Sequence, residues 1–380
     1  MDDVSDAPQQ PTLPGDLAPV DERPQLPLLT RRVLTQSIAL VTTALAVAAA
    51  IALPTGYVVR MPGPTFDTLG TGGTPVIEVT GAETFPSTGQ LRFTTVSALG
   101  NRDRTVPVAR LVRAWLDPDE GVYPVEAIFP EGTTSEQTAQ QGQAEMVTSQ
   151  ESATVAALRA LGRTVVETLT AVSTDPEMKA YGVVLPGDVL LALDGTPIVS
   201  FEHLGTMLDK IEPGTTVTLR VERAGTPQDL EVVTSAGPPA QAGGVDRSFL
   251  GVSVDRSFET DPVVTMHIDD VGGPSAGTMF ALGIMDLLTP EDETGGQIIA
   301  GTGTMAIDGT VGPIGGITYK MRGARDDGAR WFLAPAENCA EAVGHVPDGM
   351  RAVKVATLDE AYDAVVAIGA GRGDTLPTCS

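Results

Sequence analysis

The stretch "GTGTMAIDGTVGPIGGITYK", residues 301–320, closes a run of glycines on a lysine. The chain of 380 residues has three others, Lys179, Lys210 and Lys354, against 20 arginines (24 basic residues less four). A lysine set just after a glycine-rich turn is therefore informative, although alone it reads as a solvated lysine on a helix. Upstream, "VGGPSAGTMF" (271–280) sets Ser275 between Pro274 and Ala276 with glycines on both sides.

Pro274 suits the first turn of a helix, where its missing N–H costs nothing, and "TMFALGIMDLL" (278–288) supplies an apolar face. Ser275 then stands at a helix N-terminus, beside free amides and the positive end of the dipole. The small residues Gly272, Gly273, Ala276 and Gly277 let a peptide backbone approach. The amides of Gly273, Ser275 and Ala276 are candidates for holding an oxyanion or the substrate backbone. The plain alternative is a helix that starts near a serine, and this segment alone does not decide between the two.

A serine hydroxyl is a weak nucleophile and needs a base. "GPSAG" matches the G-x-S-x-G elbow of α/β-hydrolases, which wants an Asp and then a His downstream. His345 is the one histidine that follows, and no aspartate is obviously placed to orient it. The second reading takes both segments together. "GGPSAG" and "VGPIGGITYK" resemble the two signature segments of Lon-type peptidases, serine proteases that use a Ser-Lys dyad. The resemblance covers about residues 250–370, implies Ser275 as nucleophile and Lys320 as base, and matches Thr302 to a threonine that orients the lysine. Two departures stand out: Gly272-Gly273 replaces the acidic residue usual before Gly-Pro-Ser, and no ATPase domain accompanies the segment. No G-x-x-x-x-G-K-[ST] motif, and no Gly-Lys pair, occurs anywhere in the sequence. A lysine base must lose roughly 3 pKa units to work near neutrality, which burial can supply.

The rest of the chain frames this pair. Residues 1–30 are rich in Pro, Asp and Gln and read as a disordered tail. From Val33 to Val59 there is no charge, and "IALVTTALAVAAAIAL" (38–53) is long enough to span a bilayer, giving an expected transmembrane helix over 33–55. Arg31 and Arg32 precede it, so the positive-inside rule puts the tail in the cytoplasm and the bulk outside; a cleaved signal is the rival reading. Residues 61–162 begin as strand-like pieces such as "QLRFTTVSAL" (90–99), which could complete the peptidase sheet, and end as a helix over 135–162. Residues 165–236 resemble a PDZ domain through "LPGDVLLALDGTPI" (185–198). That resemblance implies peptide binding by β-augmentation between an edge strand, taken as "VVETL" (165–169), and the helix "FEHLGTMLDKI" (201–211). The PDZ would then be inserted ahead of a proteolytic domain at 248–370.

The net charge of −25 argues against nucleic acid as a partner. Cys339 and Cys379 are too few for a disulfide framework and lack zinc-site spacing, though they could form one bridge. The expectation is an α+β chain with a single membrane helix, a PDZ domain and a Lon-type domain, needing no metal or cofactor. It would act as an ATP-independent serine endopeptidase outside the cytoplasm that receives protein or peptide substrates through the PDZ and, by resemblance, self-associates. The competing classes are a PDZ adaptor with a silent serine site and an α/β-hydrolase-type esterase.

Overall fold

The uncharged run becomes one helix, α1 (Arg31–Ala52), of 22 residues. At 1.5 Å per residue it is about 33 Å long, enough in length and apolarity to cross a membrane, and none of its side chains is buried in the chain alone. The computed structural model describes residues 31–70, 75–129, 132–236, 247–268 and 271–379; the tail expected over 1–30 lies outside the described residues. Nearly all that follows α1 forms a second compact unit.

That unit begins with β1 (Tyr57–Asp67), β2 (Ile77–Thr80), β3 (Gln90–Leu99), α2 (Val108–Leu116), β4 (Gly121–Pro124) and the long α3 (Ser135–Ala160). A capping box starts α3, with Thr134 and Gln137 each satisfying the other's amide. Gly162, at φ +67°, ends the turn beyond it. Next come β5 (Val165–Thr174), β6 (Val189–Leu193), α4 (Phe201–Leu208), β7 (Thr216–Arg223), β8 (Thr226–Val233), β9 (Val252–Thr260) and β10 (Val263–Met266). The chain finishes with α5 (Gly277–Leu287), β11 (Ile298–Gly301), α6 (Ile317–Asp326), β12 (Trp331–Pro335), β13 (Arg351–Val355) and α7 (Leu358–Gly369).

The larger sheet runs β13-β12-β11-β3-β1-β4. Its first four strands are parallel neighbours, while β1 is antiparallel to both β3 and β4. Strands from before and after the second sheet thus share one framework. Alternation along the strands gives it two apolar faces. Phe93, Ile299, Leu333 and Val353 pack with α3, α5 and α7, whereas Ala300, Phe332, Ala334 and Ala352 pack with Ile317, Met321 and Ala324 of α6. Every residue of α5 from Gly277 to Asp286 is buried, as expected of a helix that is apolar on all sides. Ser275 therefore leads into a helix on one face, and Lys320 rides a helix on the other.

The smaller sheet runs β8-β7-β6-β5-β9, antiparallel throughout, over a core that includes Leu169, Leu193, Leu204 and Val221. One sequence expectation is corrected here. "VVETL" lies in β5, which is flanked by β6 and β9 and is not an edge. The edge strand is β9, whose Val252–Thr260 pairs with β5 along its length, from Val252↔Thr174 to Thr260↔Val165. Nothing in the local pattern marked β9 as belonging to this sheet, because its partner lies some 90 residues earlier. One buried carboxylate joins the sheet to α3: Glu167 Oε2 accepts from Arg159 Nη2 of α3 at 2.9 Å, and Oε1 accepts from Arg256 Nε of β9 at 2.7 Å and the Phe201 amide at 3.2 Å. Cys339 and Cys379 are disulfide-bonded across the end of the larger sheet, where Cys379 donates its amide to Ala352 of β13. Glu167→Ala would leave the partly buried Arg159 guanidinium without its carboxylate and Arg256 with Glu202 alone, and should cost about 2–4 kcal/mol. Thermal or urea melts that moved by less than about 0.5 kcal/mol would show the cluster to be idle.

Candidate active site

The two helix N-termini meet at the carboxyl end of β11. Its last residue, Gly301, is followed by Thr302, and these tie the serine segment down: Ser275 O accepts from the Gly303 amide at 2.9 Å and from Thr302 Oγ1 at 2.9 Å, and the Thr278 amide donates back to Gly303 O at 3.1 Å. From the other side α3 holds the same loop. Ser149 Oγ donates to Pro274 O at 2.9 Å, and the Gly273 amide donates to Gly142 O at 2.8 Å. The approach is tight on one side only: a Cβ on Gly272 would stand 3.3 Å from the backbone of Gly142, whereas one on Gly142 would meet Gly272 at an ordinary 3.6 Å. The serine thus sits on a loop clamped between a strand end and a helix. The helix proper begins at Gly277, later than the first-turn role expected for Pro274.

Lys320 is on the first full turn of α6, whose N-cap is Gly316 at φ +74°, a left-handed conformation that glycine adopts without cost. Its side chain runs under the sheet and is 3 % exposed. Nζ donates to Thr94 O of β3 at 2.8 Å and to Thr302 Oγ1 at 3.0 Å, and lies 2.8 Å from Ser275 Oγ. Burial pushes the lysine pKa down to about 7. Two of the three positions on nitrogen point at fixed acceptors, so in the neutral amine the lone pair is left facing Ser275. Thr302 accepts from Lys320 and donates to Ser275 O, which fixes the direction of its hydroxyl.

The structure brings together Ser275, Lys320 and Thr302. It separates Gly273 from the proposed oxyanion donors, because its amide is spent on Gly142. The amides of Ser275 and Ala276 make no hydrogen bond among the described residues, and both residues line a cleft of about 580 Å³ together with Phe66, Met146 and Val271. His345 is exposed, and His267 pairs with Glu78. Sequence reasoning missed Thr94, Gly142 and Ser149. Thr94 acts through a carbonyl, which every residue has, so its identity carried no signal.

Residues 251–368 match the Lon protease C-terminal proteolytic domain family, and residues 147–234 match the PDZ domain family. This chain carries a Lon-type proteolytic domain and a PDZ domain. It is 35 % identical over 98 residues to Lon protease 2 of Bacillus subtilis, covering 25 % of this chain and 17 % of that protein. Over 94 residues it is 33 % identical to the periplasmic pH-dependent serine endoprotease DegQ of Escherichia coli, covering 24 % and 21 %. The chain thus spans about a fifth or less of the length of these relatives. Among solved structures, the PDZ domain of an SdrC-like protein from Listeria monocytogenes is similar at 15 % identity and TM-score 0.21, covering 23 % of this chain and 85 % of that one.

The PDZ sheet has a site of its own. A cleft of about 370 Å³ runs between β9 and α4, lined by Val252 and Val254 on one side and Phe201, Leu204, Gly205 and Leu208 on the other. It ends at the loop Arg247–Gly251, where the Ser248 hydroxyl is buried without a hydrogen-bond partner.

The depressed lysine has a stability signature. Above pH about 7 the unfolded chain binds a proton that the folded chain lacks, so folding stability should rise with pH from about 7 towards 10.5. Lys320→Met removes that burial cost and should raise stability by about 1–3 kcal/mol at pH 7 and below, with the gain shrinking as pH climbs. A destabilised Lys320→Met protein with no pH trend, measured by chemical melts, would contradict the assignment.

Proposed function

We propose that the protein is a serine endopeptidase of Ser-Lys type acting outside the cytoplasm, with the PDZ cleft receiving an extended segment of its substrates. The observation that carries this is the buried Nζ of Lys320, held by Thr94 O and Thr302 Oγ1 and lying 2.8 Å from Ser275 Oγ. Neutral Lys320 takes the hydroxyl proton as Ser275 Oγ attacks a peptide carbonyl carbon, and the amides of Ser275 and Ala276 hold the resulting oxyanion. The lysine ammonium then gives that proton to the departing amine as the C–N bond breaks, leaving an acyl-serine. Water, deprotonated in turn by Lys320, releases the acid and regenerates the serine.

The location outside the cytoplasm is supported by the charge step around α1 and by the Cys339–Cys379 bridge, since disulfides persist in oxidising compartments. Substrate capture by strand addition along β9 is supported by its outer position in the sheet and by the apolar wall that α4 sets opposite. A free carboxylate at the end of the peptide would meet the loop that carries Ser248. With no P-loop in the sequence, proteolysis needs no ATP. The rival reading, a PDZ adaptor with a silent serine, parts from this one on covalent labelling of Ser275 by a serine-reactive phosphonate.

Ser275→Ala, Lys320→Ala and Lys320→Arg should each reduce peptide cleavage by about a thousandfold or more, and Ser275→Ala with Lys320→Ala should be no worse than either alone. A guanidinium keeps its proton and cannot serve as the base. For the wild type, kcat/KM should rise through pH about 7 to a plateau and be indifferent to ATP. Additive losses in the double variant, or a folded and active Lys320→Arg protein, would remove lysine from the mechanism.

A further inference from the structure

The helix α2, "VARLVRAWL", is apolar on two sides. Its inner side packs Leu111 and Ala114 on Val59 and Val106. The outer side leaves Val112 44 %, Trp115 70 % and Leu116 81 % exposed, spaced three and four residues apart so that they form one stripe. The helix's only polar side chains are those of Arg110 and Arg113. An apolar arc wider than the protein core covers normally finds another partner, and among the described residues nothing covers this stripe.

Charge separates this region from the rest of the molecule. In a chain of net charge −25, residues 99–116 hold Arg102, Arg104, Arg110 and Arg113 against Asp103. Of the acidic residues that follow, Glu120 is paired with Arg110 and Asp119 with Arg322, while Asp117 accepts the Asp119 amide in its own turn. The chain also limits where the helix can be. Six residue steps lead from Leu53, the end of the apolar run, to Val59 in the α2 cluster, a reach of at most about 20 Å. Tyr57, on that short connection, is exposed as well. Exposed Trp, Tyr and Leu flanked by arginines form the composition that lies at the boundary between lipid headgroups and acyl chains.

We infer that α2 lies on the membrane that α1 crosses, with Trp115 and Leu116 among the outer acyl-chain ends and Arg113 on anionic phosphates. This rests on the reading of α1 as a membrane anchor. The proteolytic domain is thereby held at the surface with a fixed orientation, which one flexible tether could not impose.

The full chain, reconstituted in vesicles of phosphatidylcholine and phosphatidylglycerol, provides the test. With brominated acyl chains as quenchers, the wild type should lose at least about a third of its tryptophan emission relative to unbrominated vesicles, because Trp115 and Trp331 are the two emitters and Trp115 is the one in lipid. Trp115→Phe should abolish that loss while leaving peptide cleavage unchanged. Leu116→Asp with Arg113→Glu should also reduce it, by more in the anionic vesicles than in pure phosphatidylcholine. If the chain floats with the vesicles and resists carbonate extraction, yet its emission is indifferent to bromine, the proposal is wrong and the anchor stands. A chain that does not float at all removes the anchor reading and the proposal with it. Trp115 shielded from both bromolipid and aqueous acrylamide, increasingly so with protein density, would assign the stripe to a second copy of the chain and overturn the lipid assignment.

Discussion

An ammonium group buried to 3 % exposure is the constraint around which the proteolytic domain is arranged. Taking such a charge out of water costs several kcal/mol unless it is neutralised, and among the described residues no carboxylate pairs with Lys320. Its partners are a strand carbonyl, a threonine hydroxyl and a serine hydroxyl, none of which can balance a full charge. Losing the proton relieves the cost, and a neutral amine beside a serine hydroxyl is a base. The energy stored by folding around Lys320 is therefore the same energy that lowers its pKa into the working range. Burial of α5, α6 and the parallel strands supplies it.

The geometry depends on segments far apart in the chain. β3 contributes the Thr94 carbonyl, the end of β11 contributes Thr302, α5 follows the serine and α6 carries the lysine, and α3 clamps the loop through Gly142 and Ser149. The PDZ sheet is strung between the halves of this framework. Its edge strand β9 runs on through β10 towards the loop that ends in Ser275, so the cleft proposed to receive a peptide and the proposed nucleophile are joined by one short stretch of backbone. The Glu167 cluster, which includes Arg256 of β9 itself, fastens the PDZ sheet to α3, the helix that holds the same loop.

Much of this was legible in the residues. The serine among small neighbours, the lysine after a glycine turn and Thr302 form a pattern because each position demands a particular side chain or the absence of one. Helix α3 could be read from its composition and its terminal glycine, and α1 from its lack of charge. What stayed hidden was carried by backbone or by pairing at long range. Thr94 serves through its carbonyl, Gly273 gives its amide to Gly142 when it had been assigned to an oxyanion, and β9 takes the edge position that "VVETL" seemed to hold. A strand's alternation says which face is buried and nothing about which neighbour it has. The exposed stripe of α2 was equally silent, since an apolar helix face looks the same in sequence whether protein or lipid covers it.

The central claim is that Lys320 is neutral at working pH because it is buried. With only four lysines in the chain, carbon-13 labelling at Cε gives a spectrum in which each can be assigned by single substitution and titrated by NMR in the folded protein. The account predicts that the signal lost in Lys320→Met titrates near pH 7. A Lys320 signal that stays in the charged position until about pH 10, like that of an ordinary solvated lysine, would contradict it.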